Sequence, residues 1–298
     1  MKWRDGRRSS NVEDTRGTGG GGGGFGGGGF KLGIGGLVVM AAAYFLGVDP
    51  RLVMGIMQGV DGGVQQQSAP ATVAADQSLD EGADFLRVVL ADTEDTWTPI
   101  FQAAGRQYQP TTLRLYSGRD VSGCGAASSA AGPFYCPADQ RVYIDLAFFD
   151  ELIQRFGGPQ DAASAGSFAQ AYVVAHEVGH HVQYLLGIEE QVRRAQQRAS
   201  EDQQNALQVR MELQADCFAG VWAHHAKQAR QNIDSADIDD GLAAASAVGD
   251  DMIQKRMQGY VVPESFTHGS AAQRQQWFGR GFQQGSVESC DTFAARTL

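Results

Sequence analysis

The sequence predicts an α+β protein: a mostly helical body with a small β-sheet, preceded by one N-terminal transmembrane helix. Three observations carry this expectation. Long stretches from residue 168 onward repeat apolar residues at helical spacing. Two short runs, residues 111–116 and Arg141–Asp145, alternate as strands do. Residues 32–48 form an apolar run without a charge, between Lys31 and Asp49. The chain of 298 residues has room for one large domain or two small ones, and no repeat at a fixed period is evident.

In chain order, residues 1–31 are polar and then Gly-rich, with residues 19–29 glycine except for Phe25. Such a segment buries too little apolar surface to offset its ordering entropy, so it reads as a flexible arm. Residues 32–48 read as a transmembrane signal anchor, the alternatives being a signal-peptide core or a buried helix. A cleaved signal fits poorly, because the leading arm is long and Ala41, Ala42 and Ala43 fall inside the apolar run. Residues 1–31 hold six Lys/Arg against three acids, whereas Arg51 is the only basic residue between 49 and 75. The positive-inside rule then predicts a single pass through the cytoplasmic membrane, N-terminus in the cytoplasm, with everything after Asp49 periplasmic or extracellular. The bilayer is thus an expected partner through residues 32–48. Residues 49–78 read as linker and 79–298 as the functional domain.

Within that domain, residues 79–104 read as a helix burying Phe85, Val88, Val89, Trp97, Ile100 and Phe101, with a break or kink at Pro99. The two strands follow, and Arg141–Asp145 is the candidate edge for binding an extended peptide. Residues 148–156 read as a short helix ending at Gly157, Gly158 and Pro159. Residues 168–186 form the most strongly patterned helix, with Ser167 as N-cap and Gly187 as its stop. Further helices are expected over 189–199, 201–230, 238–258 and 270–284, the last burying Trp277, Phe278 and Phe282.

Net charge is −10, and residues 49–298 carry 18 Lys/Arg against 31 Asp/Glu. That balance opposes nucleic-acid binding, which wants a basic face. Four cysteines fit an oxidising compartment and allow three pairings. Cys124–Cys136, closing a Gly/Ala/Ser loop, and Cys217–Cys290 are the expected pairs; the alternative is free thiols, with Cys217 a small core residue. There is no C-x-x-C pair, so a cysteine-based structural zinc site is not expected.

The chemistry concentrates in His176-Glu177-Val178-Gly179-His180, an H-E-x-x-H motif in the middle of the 168–186 helix. Residues four apart share a helix face, so both imidazoles can converge on one Zn²⁺. Glu177 projects roughly 100° round the helix, beside the metal without having to be a ligand. That is the layout for metal-assisted peptide hydrolysis, with Glu177 as the base that activates a zinc-bound water. The third ligand is expected from Glu212-Leu213-Gln214-Ala215-Asp216, where Glu212 completes a His₂Glu site. Asp216 then supports a zinc histidine by accepting from its other ring nitrogen. A solvated acidic face is the alternative, but this is the least polar part of its helix.

H-E-V-G-H-H followed some thirty residues later by E-L-Q-A-D resembles the bacterial putative neutral zinc metallopeptidase family, and more broadly the gluzincin type of zincin. The resemblance runs from the hydrophobic N-terminal segment to the tail, including residues 266–270 and 273–282. It implies a zincin-like domain with His176, His180 and Glu212 on zinc, Glu177 as general base and Asp216 behind the ligands. The metzincin pattern does not fit.

His268, in a loop before the helix capped by Ser270, is a candidate oxyanion donor, the alternative being a turn residue. His181 reads as a surface or supporting residue, His224 and His225 as a solvated face, and Tyr172 and Tyr184 as packing residues. The expected function is a membrane-anchored zinc endopeptidase. The alternatives are a zinc-containing peptide-binding protein without turnover and a zinc amidase acting on cell-wall peptide.

Overall fold

Three residues of a segment expected to be a free arm are built into the sheet. In the computed structural model, which describes residues 1–16, 77–154, 167–230 and 233–298, β1 (Val12–Asp14) pairs in parallel with β2 (Thr112–Tyr116). After β1 come α1 (Gln77–Ala103), β2, β3 (Arg119–Ser122), β4 (Gly125–Ser128), β5 (Phe134–Cys136), β6 (Arg141–Asp145) and α2 (Ala147–Gln154). The remaining helices are α3 (Phe168–Leu186), α4 (Ile188–Gln196), α5 (Glu201–Arg230), α6 (Ser235–Ala247), α7 (Asp250–Gln258) and α8 (Ala271–Gln284). The mostly helical α+β class expected from the sequence holds.

The four-stranded sheet runs β1-β2-β6-β5, with β3 and β4 forming a separate hairpin. Leu113 and Leu115 pair in register with Val142 and Ile144, and all four are fully buried. The alternate residues Tyr116 and Tyr143 face the other side, against Cys136 and Ala127. Here the Cys124–Cys136 disulfide closes the loop as expected. β6 is paired on both sides, to β2 and β5. It is therefore not the expected substrate edge; among the described strands of this sheet, the edges are β1 and β5.

Residues 1–16 dock mainly through polar contacts, which is why their composition misleads. Trp3 packs edge-on against Phe85 of α1 at 5.4 Å. Buried Glu94 of α1 accepts from Ser9 at 2.5 Å, Asn11 at 2.8 Å and Arg7 at 2.8 Å. Glu13 on β1 reaches Arg114 on β2 and Arg141 on β6 beyond it, at 3.0 and 3.2 Å. The expectation of a flexible arm over 1–31 fails for residues 1–16, because one buried tryptophan and a shared carboxylate order a segment that has no apolar periodicity. The expected span 32–48 lies outside the described residues, as do residues 17–31 and the linker to residue 76. Among the described residues, no helix is long and apolar enough to cross a membrane.

The helical body assembles around α3. Its bounds are those expected: Ser167 accepts from the Ala169 N–H, and Gly187 ends the helix in the left-handed conformation at φ 77°. A Cβ at Gly179 would lie 2.9 Å from the Ala215 carbonyl oxygen and 3.1 Å from its Cα. The glycine of the motif thus lets α5 come close enough to bring its carboxylates onto the motif histidines. α5 in turn crosses α8, where a Cβ on Gly281 would collide with the Cys217 carbonyl. The Cys217–Cys290 disulfide closes the same region.

Two helix expectations need correction. Of the break or kink expected at Pro99 the break is absent, α1 continuing to Ala103. The stretch 238–258 is two helices, split at Gly249, where the backbone runs too close to Ala271 for a side chain. Gly157, Gly158 and Pro159 lie outside the described residues.

Candidate metal centre

α3 and α5 bring His176, His180 and Glu212 to one point. Each offers a ligand atom, and these atoms all lie within 4.8 Å of one another. Glu212 Oε2 is 3.3 Å from His176 Nε2 and 3.6 Å from His180 Nε2. Its other oxygen, Oε1, accepts from Gln208 at 2.9 Å, so Oε2 alone is turned to the histidines.

Charge follows that geometry. Burial works against an imidazolium at His180, but the charge and hydrogen bond of Glu212, with Glu177, push its pKa up to about 9. His176 is also raised against burial, by Asp216 and Glu212. Burial would raise Glu212, yet the two histidines hold it well below the usual carboxylate range. The pocket thus stabilises positive charge beside a fixed anion, as a cation site must.

A supporting layer fixes both rings. His176 Nδ1 is 2.8 Å from Asp216 Oδ1, the contact expected between these two residues. Asp216 is fully buried and collects further donors: Tyr172 Oη at 2.5 Å, Arg274 Nε at 2.8 Å and Arg274 Nη2 at 2.9 Å. Tyr172 is therefore more than packing. Arg274 is one of two arginines in a polar helix, and its only signal in the sequence is a buried carboxylate elsewhere that needs a cation. His180 Nδ1 is 2.9 Å from Gln183 Oε1. With both Nδ1 atoms engaged, both Nε2 atoms are left for a metal. Two imidazoles and one carboxylate oxygen make the donor set of a catalytic zinc site, so the residues fit the ion.

Glu177 is 7% exposed on the motif helix, and its charge is felt at His180. His268 is held by Asp250, the first residue of α7. Asp250 Oδ2 accepts the backbone N–H groups of Thr267, His268 and Gly269 at 2.8, 2.6 and 2.9 Å. Asp250 Oδ1 is 3.2 Å from His268 Nδ1. Gly269 abuts Leu213 and Val209 of α5, on the same turn as Glu212. The His268 side chain stays half exposed, with Nε2 left for a ligand. Asp250, by hydrogen bond and charge, and Glu212 raise its pKa.

The other histidines are structural. His181 is fully buried, between the Gln109 carbonyl at 2.6 Å and Tyr135 Oη at 3.0 Å. It ties α3 to β5 and is not a surface residue. Burial lowers its pKa to about 4. His224 and His225 are half-buried and engage the carbonyls of Phe282 and Gly285 at the end of α8, so they are not merely a solvated face.

The sequence model of the family described as "Putative neutral zinc metallopeptidase" matches residues 1–293. The chain belongs to that family. The match includes the docked N-terminal segment and extends past Cys290. The uncharacterized protein YpfJ of Escherichia coli K12 is 49% identical over 299 residues, covering 98% of this chain and 99% of its own length. The uncharacterized protein Rv2575 of Mycobacterium tuberculosis H37Rv is 44% identical over 278 residues, covering 86% of each. No solved structure matches the chain. Zinc is the cofactor that the family implies, and the His176, His180 and Glu212 group is the site among the described residues that can hold it.

Proposed function

We propose that this protein is a zinc-dependent endopeptidase that works outside the cytoplasm. The observation that carries the reading is the convergence of His176, His180 and Glu212 on one point, with the buried Glu177 next to His176 on the motif helix. A structural site needs no carboxylate at position 177; a hydrolytic one does. When bound, zinc supplies Lewis acidity to the scissile carbonyl and to water. Glu177 takes a proton from the attacking water and delivers it to the leaving amine. His268, aimed by Asp250, donates to the oxyanion. The peptide adds to the edge of β5, which Tyr135 holds against the motif helix through His181.

The test is to incubate the purified protein with a diverse peptide library and map cleaved bonds by mass spectrometry. Cleavage should vanish with a chelator and return with zinc. A chain that binds one zinc and cleaves nothing in the library would favour the peptide-binding reading. His268→Ala should lower kcat by roughly 10²–10³-fold with zinc content intact; near-normal turnover would reduce His268 to a turn residue.

Two disulfides support an oxidising compartment for residues 77–298. A single pass with the N-terminus inside would put β1 and β2 on opposite sides of the bilayer, yet they share a sheet. The pairing supports residues 1–16 and the catalytic body lying on one side of any membrane. Epitopes placed after Arg16 and after Leu298 should be cleaved, or protected, together when protease is added to intact spheroplasts. Opposite accessibility would restore the single-pass arrangement.

A further inference from the structure

His180 and His176 are supported by different chemistry, and the difference reaches the C-terminal segment. His176 leans on an anion, Asp216. His180 leans on a neutral amide, which can either accept or donate, so what sets its direction must be sought further along. Gln183 Nε2 donates to the Met211 carbonyl at 2.8 Å and to Gln214 Oε1 at 3.0 Å. Gln214 Nε2 donates in turn to the Cys290 carbonyl at 3.0 Å. Both chains therefore end on backbone carbonyls, which can only accept.

That fixes every link. Turning the Gln183 amide over would set its oxygen against the Met211 carbonyl. Turning Gln214 over would set its oxygen against that of Cys290. Gln183 is fully buried and Gln214 is 5% exposed, so an unpaired atom here has no bulk water to turn to. With both amides locked, only Gln183 Oε1 faces His180, and Nδ1 of the ring must be the donor. Nε2 is then the atom left facing Glu212, and its lone pair is the one a metal would take.

We propose that Gln183 and Gln214 are positioning residues for His180, fixing its tautomer and aim from the Met211 and Cys290 carbonyls. The proposal rests on the reading that His176, His180 and Glu212 hold zinc. Cys290 is itself clamped by the Cys217 disulfide, one residue from Asp216. The same clamp thus stands behind both zinc histidines, through Asp216 for one and through Gln214 for the other.

The experiment is a zinc titration of the full chain against a competing chelator dye, with wild type, Gln183→Met and Gln214→Met. Gln183→Met should bind one zinc with a Kd raised roughly 10–100-fold, and Gln214→Met should shift it in the same direction by less. A purely structural role would lower the melting temperature of the zinc-free and zinc-loaded forms equally. The proposal instead requires the increment gained from zinc to shrink, and the cobalt-substituted absorption spectrum to change as the ring loses its aim. If Gln183→Met does not fold, Gln214→Met on the neighbouring helix carries the test alone. A Kd within twofold of wild type in the folded variants would overturn the relay. A wild-type chain that takes up no zinc would overturn the metal site and the relay with it.

Discussion

Glu177→Gln is expected to keep a full zinc complement and lose roughly 10²–10⁴-fold in kcat/KM, the range for removing a general base. The substitution preserves volume in a side chain only 7% exposed, so packing of α3 is left as it was. The three metal-facing atoms belong to His176, His180 and Glu212, and none is touched. What disappears is the ability to take a proton, since an amide oxygen is far less basic than a carboxylate. Zinc content by atomic absorption and peptide turnover on the same sample separate the two functions. Turnover equal to wild type would remove Glu177 from the mechanism. Loss of zinc together with turnover would show that Glu177 is a structural part of the metal site instead.

The site was legible where its logic is local. Two histidines four apart, a capping serine and a terminating glycine lie within one helix, and the periodicity that places them is a property of neighbouring residues. Glu212 and Asp216 were legible for the same reason: four apart, in the apolar part of a helix. Arg274, Gln183 and Gln208 were not, because their meaning depends on which helices cross. Arg274 is 58 residues from Asp216 and 102 from Tyr172, and nothing in its own helix marks it. The crossing that joins them depends on glycines 179 and 281, whose spacing shows no local pattern. Residues 1–16 and the position of β6 failed in a related way. Residues 1–16 take their place from α1 and β2, far along the chain, and β6 loses its edge to β5, a strand at the end of the cysteine loop too short for its alternation to mark it. His268 was singled out from its loop, but Asp250, which aims it, became visible only once the 238–258 stretch split at Gly249.

Arg274→Met is expected to have the largest effect on stability. Asp216 is fully buried and takes two bonds from Arg274, at 2.8 and 2.9 Å, besides those from Tyr172 and His176. Methionine matches the aliphatic length of arginine but leaves the carboxylate without its counter-ion, a change that costs about 3–5 kcal/mol in buried pairs. Zinc affinity should also fall by roughly 10–100-fold, because the partner of His176 is no longer held. Acid sensitivity should change with it. Burial alone would raise the Asp216 pKa, but Arg274 and His176 bring it down to about 2, below the roughly 3.9 of an unfolded aspartate. A carboxylate depressed on folding adds stability above its unfolded pKa and loses it as pH falls through the folded one. Wild type should therefore lose this contribution between about pH 4 and pH 2, and Arg274→Met should lack that limb of its stability curve. The double variant Asp216→Asn/Arg274→Met removes both charges and should be more stable than Arg274→Met alone, while its zinc affinity stays low. Urea melts of the zinc-free proteins across this pH range, paired with zinc titrations, read both effects. A single variant as stable as wild type would mean that water or Tyr172 suffices to hold Asp216, and the arginine would lose its place behind the metal.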